Sequence, residues 1–221
     1  MRSEAVAVAL PTVLGLGLAL WPVRVPAAEL VLRDISAGIE LRTAAYDFSV
    51  DGPTDDSSGS DAFDSSLALR FASVYSLAGT GRRHGPLLGG GILLEQQSFS
   101  GGGELTTIGL QLAGGYGWAL NDRVQLAAMP YVGYGMSTLA LDDRSQFSAV
   151  EGDGTSFVYG LRVDCHYAIN RRWSLAAGLG YGWTTTEIAA ADVDITFEQA
   201  ALHMGLALTW RWDITPPLLD P

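Results

Sequence analysis

Apolar residues alternate with small or polar ones at period two along most of the chain beyond residue 33. In "WSLAAGLGYGW" one face reads Trp173, Leu175, Ala177, Leu179, Tyr181 and Trp183, and the other Ser174, Ala176, Gly178, Gly180 and Gly182. In "LHMGLALTWRW" Leu202, Met204, Leu206, Leu208, Trp210 and Trp212 oppose His203, Gly205, Ala207, Thr209 and Arg211. Period two is the repeat of a strand with one apolar face. Applied throughout, it predicts eight strands, at 34–47, 65–78, 87–99, 105–120, 124–139, 156–169, 173–187 and 195–212. The connections at 79–85, 121–123 and 170–172 are short. Those at 48–64, 140–155 and 188–194 are longer and more polar, and 100–104 is the shortest of that second set. Several strands are far longer than the roughly 5–6 residues usual in globular proteins. An even number of long strands, with short turns on one side and mostly longer loops on the other, predicts an all-β fold. The expected fold is an eight-stranded antiparallel up-and-down transmembrane β-barrel.

In that arrangement the apolar face meets lipid. Three tyrosines, Tyr116, Tyr134 and Tyr181, each stand between two glycines. Their rings then point to lipid, and Gly115, Gly117, Gly133, Gly135, Gly180 and Gly182 point into the lumen, where they make room for large polar groups from other strands. Tyr116, Trp118 and Trp173 fall near the short turns, and Tyr134, Tyr181 and Trp183 toward the longer loops. With Trp210 and Trp212 they form the aromatic girdle expected at the membrane interfaces. A soluble, lipocalin-like barrel would need its polar face outward. Here the face opposite the apolar one is rich in glycine and alanine and too small to cover a soluble surface. Pro130, inside the fifth strand, removes a ladder hydrogen bond and predicts a bulge.

Composition narrows the picture. Only 17% of the 221 residues are charged, all 13 basic residues are Arg, and the formal net charge is -11. An acidic chain is a poor match for nucleic acid. The lone Cys165 excludes an internal disulfide framework, and parity places it on the lipid face. Residues 1–27 differ from the rest: the apolar stretch Ala5–Trp21 is followed by "VRVPA", with small residues at Val25 and Ala27. This predicts a signal peptide over 1–27 and a barrel domain over 28–212.

The patterning over 34–212 resembles the eight-stranded outer-membrane barrels of the outer-membrane protein A and opacity-protein type. The closing "LHMGLALTWRW" looks like the C-terminal signal of such barrels. The resemblance implies residence in the bacterial outer membrane, contact with outer-membrane lipid and lipopolysaccharide, and recognition of the last strand by the barrel-assembly machinery. One departure from the family is that "DITPPLLDP" follows Trp212. Pro216 and Pro217 cannot extend a strand, so 213–221 reads as a short periplasmic tail.

With the N-terminus in the periplasm, the short turns are periplasmic and carry Arg82, Arg83, Arg123, Arg171 and Arg172 against Asp122. The outer loops are acidic. The first carries Asp51, Asp55, Asp56, Asp61 and Asp64, with Asp47 just before it, and the third Asp142, Asp143, Glu151 and Asp153 against Arg144. Their charge serves solvation, or bridges through divalent cations to lipopolysaccharide phosphates; the spacing is not that of an EF-hand. Parity turns Glu40, Arg42, Arg70, Glu95, Gln97, Gln111, Gln125, Arg162, Asp164, His166, His203 and Arg211 into the lumen. Four Arg against three acids in a narrow lumen must pair with one another. They form either a structural plug or a narrow path for ions or small solutes. No histidine lies at the outer rim, and no Gly-x-Ser-x-Gly elbow is present. A lipid-modifying enzyme is therefore disfavoured, and no catalytic residue, cofactor or metal site is expected. The favoured function is a structural or surface-interaction role carried by the acidic loops.

Overall fold

The computed structural model describes residues 30–52, 57–77, 84–142, 150–190 and 193–211. They form eight antiparallel strands: β1 (Leu30–Asp51), β2 (Ser57–Leu77), β3 (His84–Phe99), β4 (Glu104–Ala119), β5 (Val124–Leu141), β6 (Val150–Ala168), β7 (Trp173–Ala190) and β8 (Val193–Arg211). Each pairs with its neighbours in sequence, and β8 closes on β1 to leave no free edge. The expected fold class is present. The proposed signal peptide, the C-terminal tail and Trp212 lie outside the described residues.

The outward face is the apolar one. Met136 is 76% exposed and Leu110 68%, and Ile39, Leu112 and Leu206 are exposed beside them. Water would penalise that surface heavily, whereas lipid does not. The band is bounded by two rows of rings. At the periplasmic end Trp173 meets Trp210 edge-on at 4.6 Å, Tyr116 lies 5.0 Å from Trp118, and the Arg172 guanidinium stands 5.6 Å over Trp210. At the outer end Trp183 stacks on Tyr159 at 5.4 Å and meets Tyr181 at 4.9 Å. From Trp173 to Trp183 the chain climbs ten residues, roughly 34 Å along the strand and about 26 Å in height at a tilt of about 40°. That height matches the apolar band of about 25 Å of an outer-membrane barrel.

The connections are shorter than the sequence pattern suggests. Most of the range 48–64 is strand: β1 runs on to Asp51 and β2 begins at Ser57, so Asp51, Asp61 and Asp64 are strand residues. Likewise Glu151 and Asp153 belong to β6, Asp142 follows the end of β5, and β7 and β8 leave only residues 191–192 between them. Asp55, Asp56 and Asp143 fall outside the described residues. Strand character persists because alternation persists, with its sign reversed. Above Trp183 the outward residues of β7 are Thr185, Glu187 and Ala189, while Ile188 and Ala190 are buried inward. The outer third of the barrel is therefore polar outside and apolar inside, as in a water-soluble barrel.

Register is continuous past Pro130: Ala113 faces Tyr131, Tyr116 faces Ala128, and Pro130 itself faces Leu161 of β6. The bulge expected there is absent. The register shifts lie elsewhere, at Leu32/Asp34 and Leu41/Ala45 of β1 and at Phe63/Ser65 of β2. Pro130 is exposed on the lipid face, and β4–β5 pairing lapses beside it without a slip. Two periplasmic turns share one device. The Asn121 side-chain oxygen accepts the backbone N–H groups of Arg123 and Val124 at 2.9 Å each, and Asn170 does the same for Arg172 and Trp173. The outer turn after β3 uses Gly102 and Gly103 at φ 92 and 118, which a side chain would resist.

Candidate functional site

Midway along the lumen the inward charges of five strands converge. Arg162 of β6 donates to Glu40 of β1 and, at 2.6 Å, to Asp164. Arg42 donates to Glu95 of β3 at 2.6 Å and to Glu40 at 3.5 Å. Arg70 of β2 stands 3.9 Å from Glu40, and His203 Nδ1 of β8 stands 3.8 Å from it. Glu95 also accepts from Ser66 at 3.0 Å and Gln97 at 3.2 Å. The cluster sets Arg42, Arg70 and Arg162 against Glu40, Glu95 and Asp164, so its formal charge is balanced. Burial of such charges is tolerable only because each is paired.

The glycines opposite the lipid-facing tyrosines supply the space. A Cβ at Gly180 would fall on the His203 imidazole, one at Gly182 or Gly160 on the Tyr131 hydroxyl, and one at Gly178 on Arg162 and Asp164. Gly180→Val is therefore expected to destabilise the barrel by roughly 1–3 kcal/mol. The temperature at which the compact band shifts on a gel measures this, and an unchanged temperature would mean that the imidazole swings aside freely.

The expected lumen set divides. Glu40, Arg42, Arg70, Glu95, Arg162, Asp164 and His203 come together, whereas His166 and Arg211 do not join them. Arg211 lies opposite Asp34 and His166 opposite Gln125, near the periplasmic end. There Arg33 reaches across to Gln125 and stands 3.1 Å from Asp34. Tyr131 completes the central cluster, its hydroxyl 3.0 Å from His203 Nε2. Its signal in the sequence is the one aromatic on the inward face of β5, just before Gly133 and Gly135. Cys165 is exposed on the outer wall, as parity requires.

Further layers of side chains lie in the lumen above and below the charges. Above the charges, Thr107, Ser137, Ser156 and Thr186 form a hydroxyl chain across β4 to β7, with steps of 2.8, 2.6 and 2.6 Å. On the other side Gln97 donates to Gln199 at 3.0 Å. The space beside this belt is about 20 Å³, room for about one water molecule. Higher still is an apolar cap that parity alone did not reveal. Tyr46 packs against Phe63 at 4.5 Å, Phe99 at 5.6 Å and Phe197 at 5.8 Å, with Leu105, Leu139, Ile188 and Ile195 buried around them. Below the charges, Leu87, Ala127 and Met129 form a smaller apolar cluster.

The outer end beyond the cap carries Asp47, Asp51, Asp61, Asp64, Glu104, Asp142, Glu151, Asp153, Glu187, Asp194 and Glu198, and no Arg among the described residues. Some are engaged locally: Asp61 accepts from Ser100 at 3.1 Å, Glu104 from Gln96 at 2.7 Å and Asp153 from Thr138 at 3.1 Å. Two cross-strand pairs are of like charge, Asp47 opposite Glu198 and Asp51 opposite Asp194. Like charges directly opposite one another on a sheet are destabilising.

A closed eight-stranded barrel with a lipid-facing band between two aromatic rows defines a transmembrane β-barrel, and the protein is a bacterial outer-membrane barrel. No protein-family model matches the sequence, and no curated protein matches it. Among solved structures, the chain is similar to Ail, the attachment invasion locus protein of Yersinia pestis, with 14% identity over 79% of this chain and 99% of Ail and a TM-score of 0.36. It is similar to Neisserial surface protein A, with 14% identity over 75% of this chain and 95% of that one and a TM-score of 0.38. OprG from Pseudomonas aeruginosa gives 12% identity, coverage of 82% and 97%, and a TM-score of 0.38.

Proposed function

We propose that the protein is a non-conducting outer-membrane anchor whose acidic outer end is its contact surface. The observation that carries this reading is the contrast between the filled lumen and the charged outer surface. The interior is filled by a neutral ion cluster, a hydroxyl belt and an apolar cap. Among the described residues, the charged groups of the outer surface are all carboxylates, including the like-charged pairs Asp47/Glu198 and Asp51/Asp194. Such pairs cost stability unless a cation lies between or beside them. The contact chemistry is therefore cationic: divalent cations that bridge these carboxylates to the phosphates of neighbouring lipopolysaccharide. A bridging cation takes part of its coordination from phosphate, so a complete protein cage is not required. Catalysis has no place in this reading, because His203 is buried and tied to Tyr131 inside the lumen. The last strand, β8, serves as the segment presented to the assembly machinery.

Planar-bilayer recording of the refolded protein tests the anchor. Silence is expected from the wild type and also from Arg42→Ala and Arg162→Ala, because the apolar cap remains in place. Steady channels in the wild type would overturn the reading in favour of a narrow pore. A companion measurement tests the outer surface: replacing Asp47, Asp51, Asp194 and Glu198 with Asn should abolish magnesium-dependent binding to lipopolysaccharide vesicles, and unchanged binding would remove that role.

A further inference from the structure

The lipid-facing wall is not uniformly convex. Across β6, β7, β8 and β1 it holds an open groove of about 560 Å³. Its sides are Ile39 and Leu41 on one flank, Met204 and Leu206 beside them, and its floor is Ala177 and Cys165. Ala177 lies directly opposite Leu206 on β8 and Cys165 on β6, so two small outward side chains adjoin among the larger Ile39, Leu41, Val163, Leu179, Met204 and Leu206. Its volume falls in the range of ligand clefts, and it is open on its lipid side.

Position and charge decide what fills it. The floor sits four residues along β7 from Trp173, the periplasmic girdle, and six from Trp183, the outer one. That places it about 10 Å above the periplasmic interface, within the inner half of the apolar band about 25 Å tall. At the foot of the same two strands the periplasmic rim carries Arg171 and Arg172, both exposed, with Arg172 held over Trp210. A basic rim directly beneath an apolar groove is complementary to a lipid with an anionic headgroup and an acyl chain reaching toward mid-bilayer. A second barrel fits less well. The groove is concave, and it offers no side-chain hydrogen-bonding group besides a thiol to hold a partner in the membrane.

We propose that this groove seats one acyl chain of an anionic glycerophospholipid from the periplasmic leaflet, with its phosphate held by Arg171 and Arg172. The groove supplies the affinity for the chain and the two Arg supply the headgroup preference, so the two can be separated by mutation.

Native mass spectrometry of the refolded barrel, released from mixed micelles containing phosphatidylglycerol or phosphatidylethanolamine, reads this directly. The wild type is expected to retain one phosphatidylglycerol per barrel, and to favour it over phosphatidylethanolamine by about tenfold. Ala177→Phe fills the floor from the lipid side and should lose the retained lipid of either kind. Arg171→Ala with Arg172→Ala should keep a retained lipid but lose the preference between the two. Cys165→Phe fills the same floor from β6 and stands in if Ala177→Phe fails to give the compact gel band. Leu110→Phe, on the opposite side of the barrel, should leave retention unchanged. Retention by Ala177→Phe or Cys165→Phe equal to the wild type, no retained lipid in the wild type, or a dimer that Ala177→Phe disrupts would each overturn the proposal.

Discussion

Glu40→Ala is expected to cost about 3–5 kcal/mol of barrel stability, the largest loss from any single carboxylate in the protein. Glu40 is the hub of the central cluster, shared by Arg42, Arg70, Arg162 and His203. Without it, Arg42, Arg70 and Arg162 face only Glu95 and Asp164. One guanidinium then remains inside the lumen without a counter-charge. The penalty is the desolvation of that cation, which removal of the carboxylate leaves uncompensated. Glu40→Gln keeps the shape and some hydrogen bonds but also breaks neutrality, so it should fall between alanine and wild type. Adding Arg70→Gln to Glu40→Gln restores the balance of charge and should recover part of the loss. An exposed carboxylate behaves differently: Asp47→Ala should stay within about 0.5 kcal/mol of wild type, with a gain rather than a loss because Glu198 lies opposite. Urea unfolding in lipid vesicles, followed by the loss of the compact gel band, measures all of these. A loss for Glu40→Ala below about 1 kcal/mol would show that the three guanidinium groups are solvated, and the lumen open.

Phe197→Asp is expected to unfold the outer third of the barrel while leaving the membrane-embedded part intact. The ring lies 5.7 Å from Phe99 and 5.8 Å from Tyr46 in the apolar cap. A carboxylate there enters an apolar core with no cationic partner among the described residues of the outer end, at a cost of several kcal/mol. The membrane part is held separately, by its own ladder and ion cluster, so the damage should be local. Added protease should cut near the outer strand ends, and the remaining core should still migrate as a compact, heat-sensitive band. Glu198→Phe changes the adjacent but outward position and should leave the protease pattern of the wild type. If Phe197→Asp left the outer end resistant, the cap would not be what holds it together.

Much of this molecule is local and was open to inspection in the chain. Alternation with period two identifies strands, because successive side chains leave a strand on opposite faces. The Gly-Tyr-Gly segments announce both a lipid-facing ring and a lumen that needs room, and Gly180 and Gly182 lie against His203 and Tyr131. The same pattern misleads where it changes sign. The strand residues within 48–64 and 140–155 are polar because their strands have left the membrane, so polarity at those described residues marks depth rather than a loop. Parity carried past Trp183 would have placed Ile188, Ile195 and Phe197 inside, but an apolar interior is visible only once apolar is no longer equated with outward.

By itself, then, the sequence determined the strands, their lipid-facing side, the aromatic rows, the inward charges and the acidic character of one end. Those are properties of single residues and their immediate neighbours. Only closure of the barrel decided which of the inward charges meet. Arg162 and Glu40 are 122 positions apart, and Tyr131 and His203 72. Whether such groups touch depends on strand register and stagger, which set the height of each side chain in the lumen. The same closure separated His166 and Arg211 from the central cluster, gathered the apolar cap from residues distant in the chain, and set two small side chains from adjacent strands together on the lipid face. No local pattern encodes these juxtapositions, because each depends on how far every strand slides against the next before the sheet joins its own edge.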